Sequence, residues 1–178
     1  TAGFPSLQGY AQNSRFAEIK DDTTLINKMN SLAGKFLKEN QYDSCLKYAS
    51  QALAISESLI RTKSVINIPA DLRQSKSLKI KSLILISTCV SLSNPEKAID
   101  TLHTALKLVK ETGNRNLEAE VYAGIGEIYT ILSRDQPALE NNLKSLAILR
   151  ETGNRKGLAW QLTNVGLNHR NMGNYGDA

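Results

Sequence analysis

The chain is poor in cysteine, proline and aromatic residues. Its 178 residues include 2 cysteines and 4 prolines, and aromatic residues make up 6%. Two cysteines cannot form the disulfide framework of a small secreted domain, so we expect a reducing compartment. Cys45 and Cys89 take packing positions, and we expect both to act as small buried hydrophobic residues. The 41% content of hydrophobic residues excludes disordered and collagen-like chains.

Long hydrophobic runs and blocks of like charge are also missing. The longest apolar stretch, 83–90, is interrupted by Ser87 and Thr88 and is too short to cross a bilayer. Residues 1–20 lack the basic and apolar regions of a secretory signal. The net charge of +5 comes from scattered basic residues, whereas a nucleic-acid groove clusters them among stacking rings. We therefore expect a cytoplasmic protein with neither nucleic-acid nor membrane partners.

The main feature that the sequence does contain is an internal repeat. The segment 111–115, Glu-Thr-Gly-Asn-Arg, recurs unchanged at 151–155, forty residues later. The same offset relates Gly126 to Gly166. A fixed offset that holds at many positions predicts a repeat protein.

Each repeat is predicted to contain two amphipathic helices. Apolar residues fall three and four positions apart over 117–132 and again over 138–149, which gives each segment one buried face. No alternating strand pattern accompanies them, so the pattern favours an all-α protein. Gly126 and Gly166 lie within first helices, where glycine is unfavourable, and we interpret them as sites of close helix crossing.

The segments between the helices have the residues of helix ends. Gly113 and Gly153 are expected to end second helices in the left-handed conformation, and the asparagine after each glycine is expected to cap the next helix. In the third unit, Ser133 or Asp135 is expected to cap the second helix.

These residues resemble the tetratricopeptide repeats. The third unit matches the motif of that family, and the period of forty residues resembles its long-helix subgroup, which includes kinesin light chains, spindle-orientation adaptors and bacterial regulators. The matching residues are Tyr122, Ile125, Gly126, Tyr129, Ala138, Leu139, Ser145 and Leu146.

The resemblance implies an all-α, right-handed α–α superhelix. Residues 1–22 match no repeat, and we expect an N-terminal extension there, either extended or forming a short covering helix. The array over 23–178 divides into units at 23–64, 70–112, 115–152 and 156–178, of which the last is incomplete.

The first two units are separated by an insertion. We expect the inserted residues to lengthen the second helix through Leu59 and Ile60 and to form a loop at 65–71. Ile66 and Ile68 are unusually apolar for such a loop, and we expect them to fold back onto a neighbouring element.

No catalytic, cofactor or metal site is predicted. His103 and His169 lie in different units without a cysteine or carboxylate at ligand spacing. The segment 124–126 is glycine-rich but lies inside a helix, so it does not form a phosphate loop. No serine lies in a nucleophile elbow, and no acid–base pair is placed to activate one. We therefore expect a protein that is not an enzyme.

The resemblance places a partner-binding groove on the concave face, at positions that flank the glycine position of the motif in each first helix. In the second unit these positions are mostly apolar: Ile80, Leu83, Ile84, Ser87, Val90 and Ser91. In the third and fourth units the predicted groove residues are Glu120, Ala123, Glu127, Thr130, Trp160, Thr163, Asn164, Leu167, Arg170 and Asn171. Trp160 is either an anchor for the partner or an interhelical packing residue.

Three functions remain open from the sequence. The favoured one is a scaffold module of a larger regulatory protein, which binds a protein or peptide in its concave groove. A second is the sensory region of a signalling enzyme, such as a kinase or cyclase, whose catalytic domain lies beyond residue 178. A third is self-assembly, with a homodimer formed through the incomplete fourth unit.

Overall fold

The computed structural model describes the backbone of residues 7–66, 69–174 and 176, and the side chains of residues 22–64, 72–174 and 176. Within these ranges the chain forms seven α-helices and no strand. The helices are α1 (Leu7–Lys38), α2 (Tyr42–Ile66), α3 (Pro69–Val90), α4 (Pro95–Thr112), α5 (Arg115–Ile131), α6 (Asp135–Glu151) and α7 (Arg155–Asn171).

The helices are arranged in two layers. Each helix packs on the next along the chain, and α1, α3, α5 and α7 also contact one another in sequence. The described parts of α2, α4 and α6 make no such contacts among themselves. The odd-numbered helices therefore form the inner layer of a stack in which each unit contacts only its neighbours. This arrangement confirms the predicted all-α superhelix of helix–turn–helix repeats.

The loops between repeats are built as their sequence predicts. Asn114 and Asn154 cap α5 and α7, with each side-chain oxygen accepting a hydrogen bond from the backbone N–H three residues later. Gly113 and Gly153 have φ angles of 66° and 67°, the left-handed region in which glycine carries no Cβ penalty. Short-range chemistry thus fixes the turn that repeats at both positions.

The start of α6 differs from the prediction. Neither Ser133 nor Asp135 caps this helix, because the cap position is occupied by Arg134, whose side chain makes no capping hydrogen bond. Ser133 instead adopts a positive φ of 55°, and the backbone N–H of Arg134 donates to the carbonyl of Tyr129. Backbone hydrogen bonds therefore close this turn without a side-chain cap.

The first helix begins earlier than the repeat pattern indicates. α1 is one continuous helix from Leu7, so residues 7–22 extend the first helix of the first unit rather than forming a separate element. Their side chains up to residue 21 lie outside the described part of the chain. The division into an extension and four units remains a prediction.

The insertion lengthens α2 to Ile66, in line with the expected extension of that helix. α3 begins at Pro69, a residue suited to the first turn of a helix, so the connection is shorter than the predicted loop at 65–71. The side chains of Ile66 and Ile68, which were expected to fold back, lie outside the described residues.

Gly126 marks a close contact between α5 and α6, as its mid-helix position predicts. A Cβ atom at this position would overlap Oδ1 of Asn142 and lie 3.1 Å from the carbonyl oxygen of Ala138. Only a residue without a side chain allows the two helices to approach in this way.

The two cysteines are bonded to each other. Cys45 on α2 and Cys89 on α3 form a disulfide with their Cα atoms 6.7 Å apart. Both cysteines take packing positions as expected, since Cys45 is fully buried in a hydrophobic cluster and Cys89 packs against it. Their disulfide was not predicted, and it weakens the argument for a reducing compartment. Residues in different repeats were brought together by the packing of α2 on α3, which sequence spacing does not reveal.

Candidate binding groove

The inner layer contains a cavity where three first helices meet. It has a volume of about 360 Å³ and opens to solvent. Asparagine and serine side chains line it on the α1 side, lysine and aliphatic side chains on the α3 side, and a glutamate on the α5 side. The lining residues are Asn27, Asn30, Ser31, Lys81, Ile84, Leu85 and Glu120.

The α1 wall of this cavity is held in place by buried hydrogen bonds to α3. Nδ2 of Asn30 donates to the carbonyl of Leu78 at 3.4 Å, and the hydroxyl of Ser82 donates to Oδ1 of Asn30 at 2.9 Å. Asn27 and Ser31 lie exposed on the same helix and are free of this network. The wall therefore combines a fixed amide with accessible polar groups.

Two glutamates of α5 line the groove two helical turns apart. The side chains of Glu120 and Glu127 are accessible to solvent but lie in the concavity, with protein on either side. Partial burial raises the pKa of both carboxyls, although Lys81 acts in the opposite direction on Glu120. A carboxylate is thus less stable here than on an open surface, and a bound cation would offset this cost.

The predicted groove residue Thr130 belongs to a buried polar network. Its hydroxyl donates to the carbonyl of Gly126 and accepts from Nδ2 of Asn168 at 3.0 Å. Asn168 in turn accepts from Nδ2 of Asn142 at 2.6 Å, and Gln161 donates to Oδ1 of Asn142 at 2.6 Å. This network fixes α7 on α5 and α6, so the hydroxyl of Thr130 already has its partners.

The other predicted residues divide between α5 and α7. Ala123 is partly buried on α5, between the two glutamates. On α7, Asn164 and Leu167 are half-buried. The other four predicted residues of this helix are exposed to solvent: Trp160, Thr163, Arg170 and Asn171.

The α7 residues are not part of the cavities on α3 and α5. Trp160 is 67% exposed in the part of the chain that the structure describes. The hydroxyl of Thr163 donates to the carbonyl of Ala159, and the side chain of Asn171 donates to Asp135 at 3.3 Å. The cavity at Glu120 and a smaller one between α3 and α5 at Glu127 include no residue of α7 in their linings. The predicted site therefore separates into two surfaces.

Sequence reasoning missed the α1 wall of the groove. Asn27 and Asn30 lie six and three residues before Ala33, the same sequence offsets that relate Glu120 and Ala123 to Gly126. Ala33 is fully buried and occupies in α1 the motif position that Gly126 occupies in α5. Applying the same sequence offsets to Ala33 would have found these residues.

The groove positions predicted for α3 divide between a cavity and the hydrophobic core. Ile84, Ser87 and Ser91 line a cavity against α5. Ile80 and Leu83 instead belong to the hydrophobic core formed with α4 and α5. The first helix of the second unit contains no glycine at the motif position. The sequence therefore does not determine which side of that helix faces the groove.

No protein-family model matches the chain. No curated protein matches it either. Among solved structures, the apo form of RapI is 18% identical with a TM-score of 0.68, over 92% of this chain and 42% of RapI. MamA is 16% identical with a TM-score of 0.45, over 86% of this chain and 85% of MamA.

The chain has a tetratricopeptide-like helical-repeat fold. This fold confirms the resemblance found in the repeat motif, and at 18% identity the likeness to RapI bears on the fold alone. The chain spans less than half the length of RapI. None of the described helices is long and apolar enough to span a membrane, and the described residues include no group of three potential metal ligands.

Proposed function

We propose that this chain is a non-catalytic scaffold that binds a protein or peptide in the groove of its inner layer. The observation that carries this proposal is the cavity of about 360 Å³ at the meeting point of α1, α3 and α5. Its aliphatic floor and polar rim suit a peptide, which needs apolar contact together with partners for its backbone amides.

The proposed context is a larger regulatory protein. The similarity to part of the longer RapI chain is compatible with such a context, as is the alternative of a sensory region attached to a signalling enzyme. A cytoplasmic location stays a prediction, and the disulfide between Cys45 and Cys89 weakens its basis because disulfides persist mainly in oxidising compartments.

Filling the cavity should weaken peptide binding. Ser31 is exposed on the α1 wall, so Ser31→Trp places an indole in the groove without disturbing the core. Peptides would first be selected by the wild-type protein from a random phage-displayed library. We expect the affinity of the enriched peptide for Ser31→Trp to fall by about tenfold or more, as measured by isothermal titration calorimetry.

The matched control is Thr104→Trp, which makes a comparable change at an exposed position of α4, in the outer layer. This variant should bind the enriched peptide as the wild type does. Equal affinities for the wild type and Ser31→Trp would contradict binding in the groove.

Two exposed apolar side chains of α7 support self-association as a second function. Trp160 and Leu162 are 67% and 47% exposed, although their spacing of two residues places them on different sides of the helix. We propose that two copies pair through α7 about a two-fold axis. Light scattering after size exclusion should give a dimer that becomes monomeric in the Trp160→Ser, Leu162→Ser double variant. A monomeric wild type at high micromolar concentration would exclude the pairing.

A further inference from the structure

A second, smaller cavity lies between α3 and α5, next to the larger one. Its volume of about 10 Å³ is close to the minimum that holds one water molecule. The lining combines aliphatic side chains, three hydroxyl groups and one carboxylate. The lining residues are Ile84, Ser87, Thr88, Ser91, Leu102, Gly124, Glu127 and Ile128.

The three hydroxyl groups of this cavity donate to backbone carbonyls, which leaves their lone pairs for a ligand. Ser87 donates its proton to the carbonyl of Ala98 at 3.0 Å, and Thr88 donates to the carbonyl of Ile84 at 3.0 Å. Ser91 donates to the carbonyl of Thr88 at 2.9 Å. A hydroxyl has one proton, so the lone pairs of these oxygens are what remains for a ligand.

Glu127 adds a negative charge to these acceptors. No ion pair engages its carboxylate in the part of the chain that the structure describes, whereas Glu118 and Glu151 each pair with Arg115. The cavity is therefore lined by acceptors and one carboxylate, and the group that complements it is a cationic donor.

The size and the lining of the cavity favour a lysine side chain over an arginine side chain. A lysine ammonium is a compact group with three donors, whereas the guanidinium of arginine is a larger planar fork. Only the ammonium matches a space of about one water molecule. Leu102 and Ile128 are almost fully buried, so the methylene groups of that lysine would pack outside the cavity, along the half-buried side chain of Ile84.

We propose that the cavity at Glu127 receives the ammonium group of a lysine side chain from the peptide that the groove binds. This inference rests on the proposed function and specifies the partner. Ile84 lines both cavities, so residues next to that lysine would lie over the aliphatic floor of the larger one. The favoured ligand is a peptide in which a lysine adjoins an apolar residue.

The test uses a random peptide library displayed on phage, selected separately on the wild type, Glu127→Gln and the control Glu140→Gln. Glu140 is an exposed glutamate of α6 and lies outside both cavities. We expect lysine to dominate one position of the peptides enriched by the wild type and the control, and to lose this preference with Glu127→Gln. Circular dichroism would verify that each variant is folded.

A second measurement changes the peptide and compares its affinity for the wild type and for Glu127→Gln. The lysine of the enriched peptide would be replaced by acetyl-lysine, which removes the charge, or by arginine. We expect the wild-type affinity to fall by about tenfold or more with acetyl-lysine, and we expect Glu127→Gln to bind the lysine and acetyl-lysine peptides equally. Arginine should also bind more weakly than lysine.

The outcomes separate this inference from the proposed function. Enriched peptides that lack lysine, or that bind Glu127→Gln as tightly as the wild type, would overturn the lysine site and leave groove binding intact. Enriched peptides that are insensitive to Ser31→Trp would overturn groove binding and the lysine site with it. A failure of the wild type to enrich any peptide would also contradict both.

Discussion

Reduction of the disulfide between Cys45 and Cys89 should lower the free energy of unfolding by about 4 kcal/mol. The bond closes a loop with a sequence separation of 44 residues, and a cross-link of that length removes much of the conformational entropy of the unfolded chain. The loop spans α2, the connection to α3 and most of α3, so its loss is expected to loosen the junction between the first two units.

Urea-induced unfolding, followed by circular dichroism with and without a reducing agent, measures this effect. The Cys45→Ala, Cys89→Ala double variant is the control, because its unfolding should not respond to the reducing agent. Titration of free thiols in denaturant should detect none in the oxidised wild type. Two free thiols there, or identical unfolding curves under both conditions, would show that the disulfide does not form.

Gly126→Ala should destabilise the protein by about 1–3 kcal/mol, although alanine favours a helix more than glycine does. The added Cβ would overlap Oδ1 of Asn142, which is only 1% exposed. Asn142 cannot move aside at low cost, because its side chain hydrogen-bonds to Gln161 and Asn168. The overlap is therefore relieved by breaking that network or by separating α5 from α6.

Gly34→Ala provides the matched control for this substitution. Gly34 lies within α1, and nothing approaches within 4 Å of the position that its Cβ would take. Helix propensity alone should act there, so this variant should be more stable than the wild type by about 0.5–1 kcal/mol. Thermal unfolding of both variants measures the difference, and a gain in stability for Gly126→Ala would contradict the close crossing.

Features set by short-range chemistry could be predicted from the sequence. The caps at Asn114 and Asn154 and the positive φ at Gly113 and Gly153 depend on residues within one turn, and the repeat displays each twice. Gly126 was recognisable as a packing site because its mid-helix position is otherwise unfavourable.

Features that depend on contacts between distant segments could not be predicted in this way. The disulfide joins Cys45 to Cys89 only because α2 packs on α3, across an insertion that breaks the period. The cavity at Glu127 is likewise lined by hydrogen-bond acceptors because the hydroxyls of Ser87 and Ser91 donate to backbone carbonyls of α4 and α3. Glu127 was selected as a groove residue, but its surroundings were not evident from spacing.

Hydrogen–deuterium exchange of the whole chain, with and without a saturating enriched peptide, tests the central claim most directly. If the inner layer is the binding surface, protection on binding should be concentrated in the parts of α1, α3 and α5 that line the cavities, around Asn30, Ile84 and Glu120. Exchange in the outer helices α4 and α6 should change little. Protection confined to α4 and α6, or to α7 alone, would contradict the account.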